Sequence, residues 1–391
     1  MEHEETKSTT FSLSLLWFGA GVSIAEILTG MLLAPLGFTK GFFAILIGHI
    51  IGGIIMYGAG LIGAKQGASA METVRISFGH CGGRLFSILN VIQLIGWTAV
   101  MIISAANAAN IIQAWGTTAW SIIVGVLIVI WILLGVKKLD KVNVVVMTLL
   151  FILTIVMSVV ISKGTSYHLA GQMITFGAGV EMAVAMPLSW LPVIADYTRR
   201  ADKPVAGTTA SCIAYFIASM WMFLIGMGVA IWTGESDIAA VMVKAGLGLC
   251  GVLIVLLSTV TTTFLDAFSA GVSARSLCNA APASSEKWMA IIATVIGVIL
   301  AITVSTDTYQ DFLYFIGSVF APMTAILLAD YYFLHHDHRL ETVNWLNLII
   351  WLIGFVIYRF FITFDTPVGV TFPVVVIVMI ISVIIHKIVN K

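Results

Sequence analysis

Apolar residues run along this chain in blocks of about twenty, the length that spans a hydrocarbon core roughly 30 Å thick. Short polar or glycine-rich stretches separate the blocks. They predict twelve helices, at approximately 11–36, 41–64, 84–112, 117–136, 142–162, 172–197, 208–233, 244–273, 288–305, 309–334, 345–364 and 370–388. The third and eighth are long enough to tilt. No gap is wide enough for a soluble domain, so the expected architecture is an all-α polytopic membrane protein.

Two blocks break their own pattern. The first carries Gly19, Gly21, Ser23, Glu26 and Gly30 where a spanning helix should be uninterrupted. Backbone amides and carbonyls must be paired in hydrocarbon, so such a weak point is tolerated only against protein or a water-filled cavity. An acid such as Glu26 costs about 2.5–3.5 kcal/mol at the bilayer centre, which marks it as functional by default. The sixth block holds Glu181, Pro187, Ser189, Trp190, Pro192 and Asp196, and two prolines five apart remove two amide donors and kink or unwind a helix. Breaks in helices one and six are what an inverted repeat of two five-helix units produces, with ligands bound between the breaks near mid-membrane. Close packing through small residues, or a simple proline kink, would explain either break alone.

Composition fixes the class. Hydrophobic residues make up 60% of 391 positions and charged residues 10%, against about 25% charged in soluble domains; mean hydropathy is +1.07. The net charge of +0 offers no basic surface for nucleic acid. Met1 to Lys7 is acidic and no cleavage site follows the first block, so that block reads as a retained helix. Cys81, Cys212, Cys250 and Cys278 have no metal or redox spacing. With the N-terminus inside, fifteen cations fall on the inner side (Lys7, Lys65, Arg75, Arg84, Lys137, Lys138, Lys141, Arg199, Arg200, Lys203, Arg275, Lys287, Arg339, Lys387 and Lys391) and three outside (Lys40, Lys163 and Lys244). Both termini are therefore expected to be cytoplasmic, in the cell's inner (plasma) membrane.

Candidate chemistry gathers near the breaks. In helix eight, Ser258, Thr261 and Thr262 share one face at i, i+3 and i+4. Two of their hydroxyls, a helix carbonyl and the carbonyls of Gly19 and Val22 from an unwound first helix would make a five-oxygen cage for sodium; threonines also bond back to their own helix. Gln93 and Trp97, one turn apart beside Gly96, could bond the edge and stack on the face of a flat heterocycle, with Trp190 as a second wall. Tryptophan also serves as packing or interfacial residue. Glu26, Glu181 and Asp266, with His49, are the ionisable groups at depth. Glu26 and Glu181 are expected to flank one outward vestibule and to bond an exocyclic amine as a carboxylate bonds cytosine N4, with proton carriage or bracing of a helix as other roles for them. His335, His336, Asp337 and His338 form a histidine tract that reads as a solvated loop, since contiguous histidines rarely match closed-site spacing. A membrane metalloenzyme built on that tract is the reading from another class. Asp196 and Asp330 fall at helix ends as anchors or gates.

These residues resemble the nucleobase-cation symporter family of cytosine, hydantoin and allantoin permeases. The resemblance rests on Gly19 to Ser23, Phe42 to Gly48 with Ile62 to Lys65, Gln93 to Trp97, Asp196 to Arg199, the helix-eight threonines, Pro322, Ala329 to Tyr331 and Val343 to Trp345. Among its members the chain is most similar to the short permeases assigned to hydroxymethylpyrimidine, the thiamin precursor. The resemblance implies a LeuT-type fold of five plus five helices with two more: a tail at 1–10, repeats at 11–162 and 172–334, and two added helices with a short tail at 345–391. It implies sodium at Gly19, Val22, Ser258, Thr261 and Thr262, and substrate near Ser23, Gln93, Trp97 and Ser189, with Asp266 close to a family asparagine. The chain departs from the family in carrying Pro187 where relatives place an aromatic ring, and in Glu26 and Glu181. The expected protein is a transporter, not an enzyme. It imports a small aminopyrimidine across the lipid bilayer, with sodium as coupling ion, no other cofactor and no nucleic-acid partner. A cytosine or purine permease, sodium- or proton-coupled, is the alternative, and nothing in the sequence sets an oligomeric state.

Overall fold

The structure is a computed structural model that describes residues 7–134, 136–161, 174–234, 248–277, 282, 285–304 and 309–389. Residues 1–6, Lys163, Lys244, Cys278 and Lys391 lie outside them. The helices are α1 (Thr10–Gly21), α2 (Ile24–Leu32), α3 (Phe38–Gln66), α4 (Ala70–Ile112), α5 (Thr117–Leu134), α6 (Val136–Ile161), α7 (Phe176–Ser189), α8 (Ile194–Thr198), α9 (Pro204–Thr233), α10 (Gly248–Leu277), α11 (Ser285–Thr303), α12 (Tyr309–Leu328), α13 (Trp345–Phe361) and α14 (Thr371–Val389). Among the described residues eight helices are long and apolar enough to cross a membrane, and the bent pair α1 and α2 makes a ninth span. Helices α6, α10 and α13 occupy the remaining expected blocks.

Both expected breaks are present. Helices α1 and α2 meet at 48°, with Val22 leaving helical geometry and Ser23 extended (φ −134°, ψ 158°). Helix α7 stops at Ser189 and α8 starts at Ile194, so Trp190 to Val193 form the second interruption, with Pro192 inside it and Pro187 one turn earlier. The breaks face each other: the rings of Trp17 and Trp190 meet edge to face at 5.4 Å. Helix α2 is held tightly to α9, because a side chain at Gly30 would strike the Phe223 backbone and one at Gly226 the Ile27 carbonyl. Small residues on both helices thus permit backbone-to-backbone contact.

The third span departs from expectation by starting at Ala70 rather than near 84. A capping box opens it, Glu72 accepting from the Ser69 amide (2.7 Å) and hydroxyl (2.8 Å). Gly79 (φ 76°) then turns the chain into the membrane limb. A side chain there would meet the Glu341 carbonyl, which instead accepts from the His80 amide at 2.9 Å, while the Thr342 carbonyl accepts from Cys81 at 2.7 Å. Amides freed by the turn are thereby satisfied.

Large apolar side chains such as Phe43, Ile54, Ile92, Ile130 and Ile296 stand exposed around the bundle, an apolar belt suited to lipid. The interior is more mixed, with buried Ser, Thr, Asn, Gln, Glu and Asp side chains. Arg75 donates to the Ser276 carbonyl, and Arg199 and Arg275 pair with Glu72 and Glu286. The first described residues join this end through hydrogen bonds between Ser8 and the 200–202 backbone.

Candidate functional site

Between the two breaks lies a small cavity lined by Ala20, Ser23, Ala25, Glu26, Trp97, Met101, Met186, Ser189, Trp190, Thr262 and Asp266. Seven of the residues singled out in the sequence are thus brought together from four helices and the two breaks. Its free volume is about 20 Å³, room for about one water, whereas small organic ligands occupy pockets of about 300–1,000 Å³. A ring can enter only if these walls draw apart. Trp97 carries Tyr309 and Phe312 edge to face at 6.0 and 5.6 Å. Trp190 is held edge to face by Trp17 and Tyr215 at 5.4 and 6.4 Å.

The three deep acids have different surroundings. Asp266 is buried, 5% exposed, and among the described residues no hydrogen-bond donor engages its carboxylate. Glu26 is also on the cavity wall, but Tyr215 donates to its Oε1 at 2.7 Å and Ser219 shares a hydrogen bond with Oε2 at 2.8 Å. Ser219 in turn lies 2.6 Å from His49 Nε2, and His49 Nδ1 lies 2.9 Å from the Ile45 carbonyl. A carbonyl only accepts, so Nδ1 carries a hydrogen. Satisfying the rest of the chain then requires either a carboxylic acid at Glu26 with neutral His49, or a carboxylate with a doubly protonated ring. Both forms hold one proton between the acid and the ring and are neutral overall.

Glu181 corrects the expectation of a vestibule. It does not line the cavity. Oε1 accepts from the hydroxyls of Tyr358 (2.6 Å) and Thr371 (2.6 Å), and Oε2 from the amides of Val370 (2.6 Å) and Thr371 (2.8 Å). The carboxylate caps the start of α14 and is fully used, so it has no capacity left for a substrate amine.

Gln93 stands behind the cavity wall rather than on it. Its amide nitrogen donates to Asn90 Oδ1 (3.0 Å) and to the Ser189 carbonyl (3.1 Å), while Asn90 donates to the Pro192 carbonyl (2.9 Å) and to Ser273 (2.8 Å). Together they satisfy carbonyls released by the second break. Gln93 Oε1 remains buried with no hydrogen-bond partner.

At the first break, Ser258 donates to the Val22 carbonyl at 3.3 Å. Thr261 bonds back to the Ser258 carbonyl at 2.8 Å, and the Thr262 hydroxyl is buried with no hydrogen-bond partner. Gly19 is buried near the end of α1. Sequence reasoning missed Met101 and Met186, and Tyr309, whose hydroxyl meets Thr29 at 2.9 Å. Met101 could have been found, one turn beyond Trp97 on the same face.

The histidine tract is not wholly a solvated loop. His335 is exposed with a left-handed backbone (φ 53°), and Asp337 turns outward to a bidentate pair with Arg339, whose guanidinium holds that carboxyl below its ordinary range. His336 and His338 turn inward toward Asp330 and His386. Asp196 anchors, its Oδ1 accepting from the Ala70 amide at 2.9 Å.

A family model described as permease for cytosine/purines, uracil, thiamine, allantoin matches residues 1–385. The cytosine permease of Escherichia coli K12 is 23% identical over 364 residues, covering 90% of this chain and 86% of that one. A putative purine-cytosine permease of Bacillus subtilis is 24% identical over 359 residues, covering 85% and 78%. Among solved structures, Mhp1, a nucleobase-cation-symport-1 family transporter in a closed conformation with bromovinylhydantoin bound, superposes with a TM-score of 0.80 at 18% identity over 97% of this chain and 91% of that one. A Na⁺-coupled sialic acid symporter superposes with a TM-score of 0.71 at 13% identity, covering 96% and 89%. Among the described residues the fold is nearly all helical with broken first and sixth spans, the LeuT-type five-plus-five repeat, and the chain is a multi-pass membrane transporter rather than an enzyme. With the match running over nearly its whole length, the chain belongs to the family of permeases for cytosine and purines, uracil, thiamine and allantoin.

Proposed function

We propose that this permease imports a small aminopyrimidine, with hydroxymethylpyrimidine as first candidate, by alternating access coupled to sodium. The observation that carries the reading is the cavity in which an unpaired carboxylate, Asp266, faces two tryptophans beside the oxygens of the first break. Trp97 and Trp190 would flank the ring, and Asp266 would accept from its exocyclic amine, a charge-assisted bond of the strong class. Ser23 and Ser189 would meet ring nitrogens or the hydroxymethyl group, while Gln93 holds the second break in place. Sodium would take the carbonyls of Gly19 and Val22 and oxygens of Ser258, Thr261 and Thr262, the buried Thr262 hydroxyl being ready to turn toward an ion. The cation-rich end would face the cytoplasm, with both termini there, in the cell's inner membrane.

Uptake of labelled hydroxymethylpyrimidine into vesicles is expected to require an inward sodium gradient. Unlabelled hydroxymethylpyrimidine is expected to compete better than cytosine, adenine or allantoin. Better competition by cytosine, the substrate in the names of the relatives above, would replace the substrate and leave the site intact.

A second reading, proton coupling, is favoured by the single proton held between Glu26 and His49 through Ser219. Uptake that ignores sodium, collapses with a proton uncoupler and becomes insensitive to pH in Glu26→Gln would select it over sodium.

A further inference from the structure

The buried end of the histidine tract carries a second, separate site. Asp330 lies in the π-helical turn that closes α12 (Ala329–Leu334), His336 and His338 in the loop after it, and His386 in the last turn of α14. One donor atom from each of the four lies within 4.8 Å of the others. Asp330 Oδ1, His336 Nδ1, His338 Nε2 and His386 Nε2 are all buried and have no hydrogen-bond partner. Buried polar atoms are normally paired, so four orphans in one spot require a cause.

The opposite atoms of three of these groups are already fixed. His338 Nδ1 meets the Glu341 carboxylate at 2.8 Å, His386 Nδ1 the Ser382 carbonyl at 2.9 Å, and Asp330 Oδ2 accepts from Asn347 at 2.8 Å. Hydrogens at both Nδ1 atoms leave lone pairs at both Nε2 atoms. Those lone pairs and the free Asp330 oxygen converge, acceptor toward acceptor. A proton bridges two acceptors only at hydrogen-bond distance, yet His336 Nδ1 and Asp330 Oδ1 stand 3.9 Å apart. A centre able to take four donors at once meets the geometry better. Outer partners that set the tautomer and orientation of ligating histidines are also the usual companions of metal ligands.

The loop is shaped to deliver the two histidines. The left-handed turn at His335 sends that side chain to solvent, and the next amide, of His336, donates to the Asp330 carbonyl at 3.0 Å. The His338 amide donates to the Ile76 carbonyl at 2.8 Å. A surface cleft lined by Lys65, Tyr331, His335, His336 and Arg339 opens on the His336 side and offers a path from solvent.

We propose that Asp330, His336, His338 and His386 form a four-ligand site for a divalent transition metal, zinc by preference, that ties the end of α14 to the end of α12. Three imidazoles and one carboxylate suit Zn²⁺ and exclude Mg²⁺ and Ca²⁺, which take oxygen ligands. Bonds of about 2.0–2.1 Å in a tetrahedron place ligand atoms roughly 3.3 Å apart, so closing on the ion asks each donor to move by about 1 Å or less. Four protein ligands with no open position make the role structural rather than catalytic. The site shares no residue with the central cavity, so its ion is neither cargo nor coupling ion.

The test uses the full chain, purified in detergent without a histidine tag, stripped with chelator and titrated with Zn²⁺. One zinc per chain is expected for the wild type and for His335→Ala, with affinity reduced at least 10-fold in His338→Ala and His386→Ala. The melting temperature of the wild type should rise with Zn²⁺ and fall with chelator, and neither should move it in His386→Ala. Co²⁺ in the wild type should give the intense visible absorption of four-coordinate cobalt, a readout independent of whether any variant folds. A wild type that binds no more zinc than His386→Ala, a His335→Ala that loses the site equally, or a weak six-coordinate cobalt spectrum would each overturn the proposal.

Discussion

Glu181 and Asp266 are both acids buried at the level of the membrane, 2% and 5% exposed, and the bundle treats them in opposite ways. Around Glu181 two hydroxyls and two backbone amides converge within 2.8 Å. No donor among the described residues is hydrogen-bonded to Asp266, whose side chain lines the cavity between the breaks. A buried charge is tolerated when hydrogen bonds replace its water, so Glu181 is complete in the folded chain. On the proposed reading, Asp266 gains its hydrogen bond from the amine of the substrate that enters. Glu26 lies between these cases, since it lines the cavity yet shares its proton with His49 through Ser219. Depth in the membrane therefore does not distinguish a binding acid from a structural one; the count of donors around it does.

The sharpest way to break this comparison is Glu181→Ala. It strands four donors, each costing about 1–3 kcal/mol when buried without an acceptor. The expected result is a loss on the order of 4 kcal/mol or more, seen as a large drop in melting temperature or in folded yield by size-exclusion chromatography. A Glu181→Ala protein of ordinary stability that no longer binds substrate would reverse its assignment. Asp266→Asn should do the opposite: uptake falls by about 10- to 100-fold, as expected for a charge-assisted hydrogen bond worth about 1.5–3 kcal/mol, while the melting temperature holds or rises. Thr262→Ala should raise the half-saturating sodium concentration by roughly 10-fold, about 1.4 kcal/mol, with unchanged melting. An equal loss of sodium response and folded protein would make that hydroxyl a packing group. The smallest effect is expected from Glu72→Ala, which removes a capping box at a half-exposed helix start and costs about 1 kcal/mol of stability, with no change in uptake per folded molecule.

The same contrast explains what the sequence could reveal. Spans were legible because apolar length is a local property, and the breaks because Gly21, Pro187 and Pro192 leave local marks. Trp97, Trp190 and Thr262 were marked by their place near the breaks, and Ser23, Ser189 and Asp266 were set beside them by the family resemblance; the structure brings all six to one cavity. Glu181 was misread because its depth is local but its partners are not: Tyr358 and Thr371 lie far along the chain, and no spacing links them to it. The histidine tract was misread for the same reason. His386 stands alone in a run of valines and isoleucines, and only the packing of α14 on α12 makes it a neighbour of His336. The early start of α4 is a different failure. Ser69 and Glu72 spell a capping box, but a search for twenty apolar residues passes over a short amphipathic limb. Gln93 was expected at the substrate edge but stands behind the cavity wall, its donors serving the Asn90 and Ser189 oxygens, a demand that appears only once the neighbouring helix is broken.

The cap on α14 also bears on how the chain is made. Helix α7 enters the membrane while α13 and α14 are still unsynthesised, since chains emerge N-terminus first. Until then Glu181 has neither Tyr358 nor the amides of Val370 and Thr371, so its side chain must stay neutral, near water or under temporary cover. The interior can close only when the last span arrives. A chain interrupted before Thr371 would therefore carry an unmet carboxyl at Glu181, since Tyr358 of α13 and the first residues of α14 supply its donors.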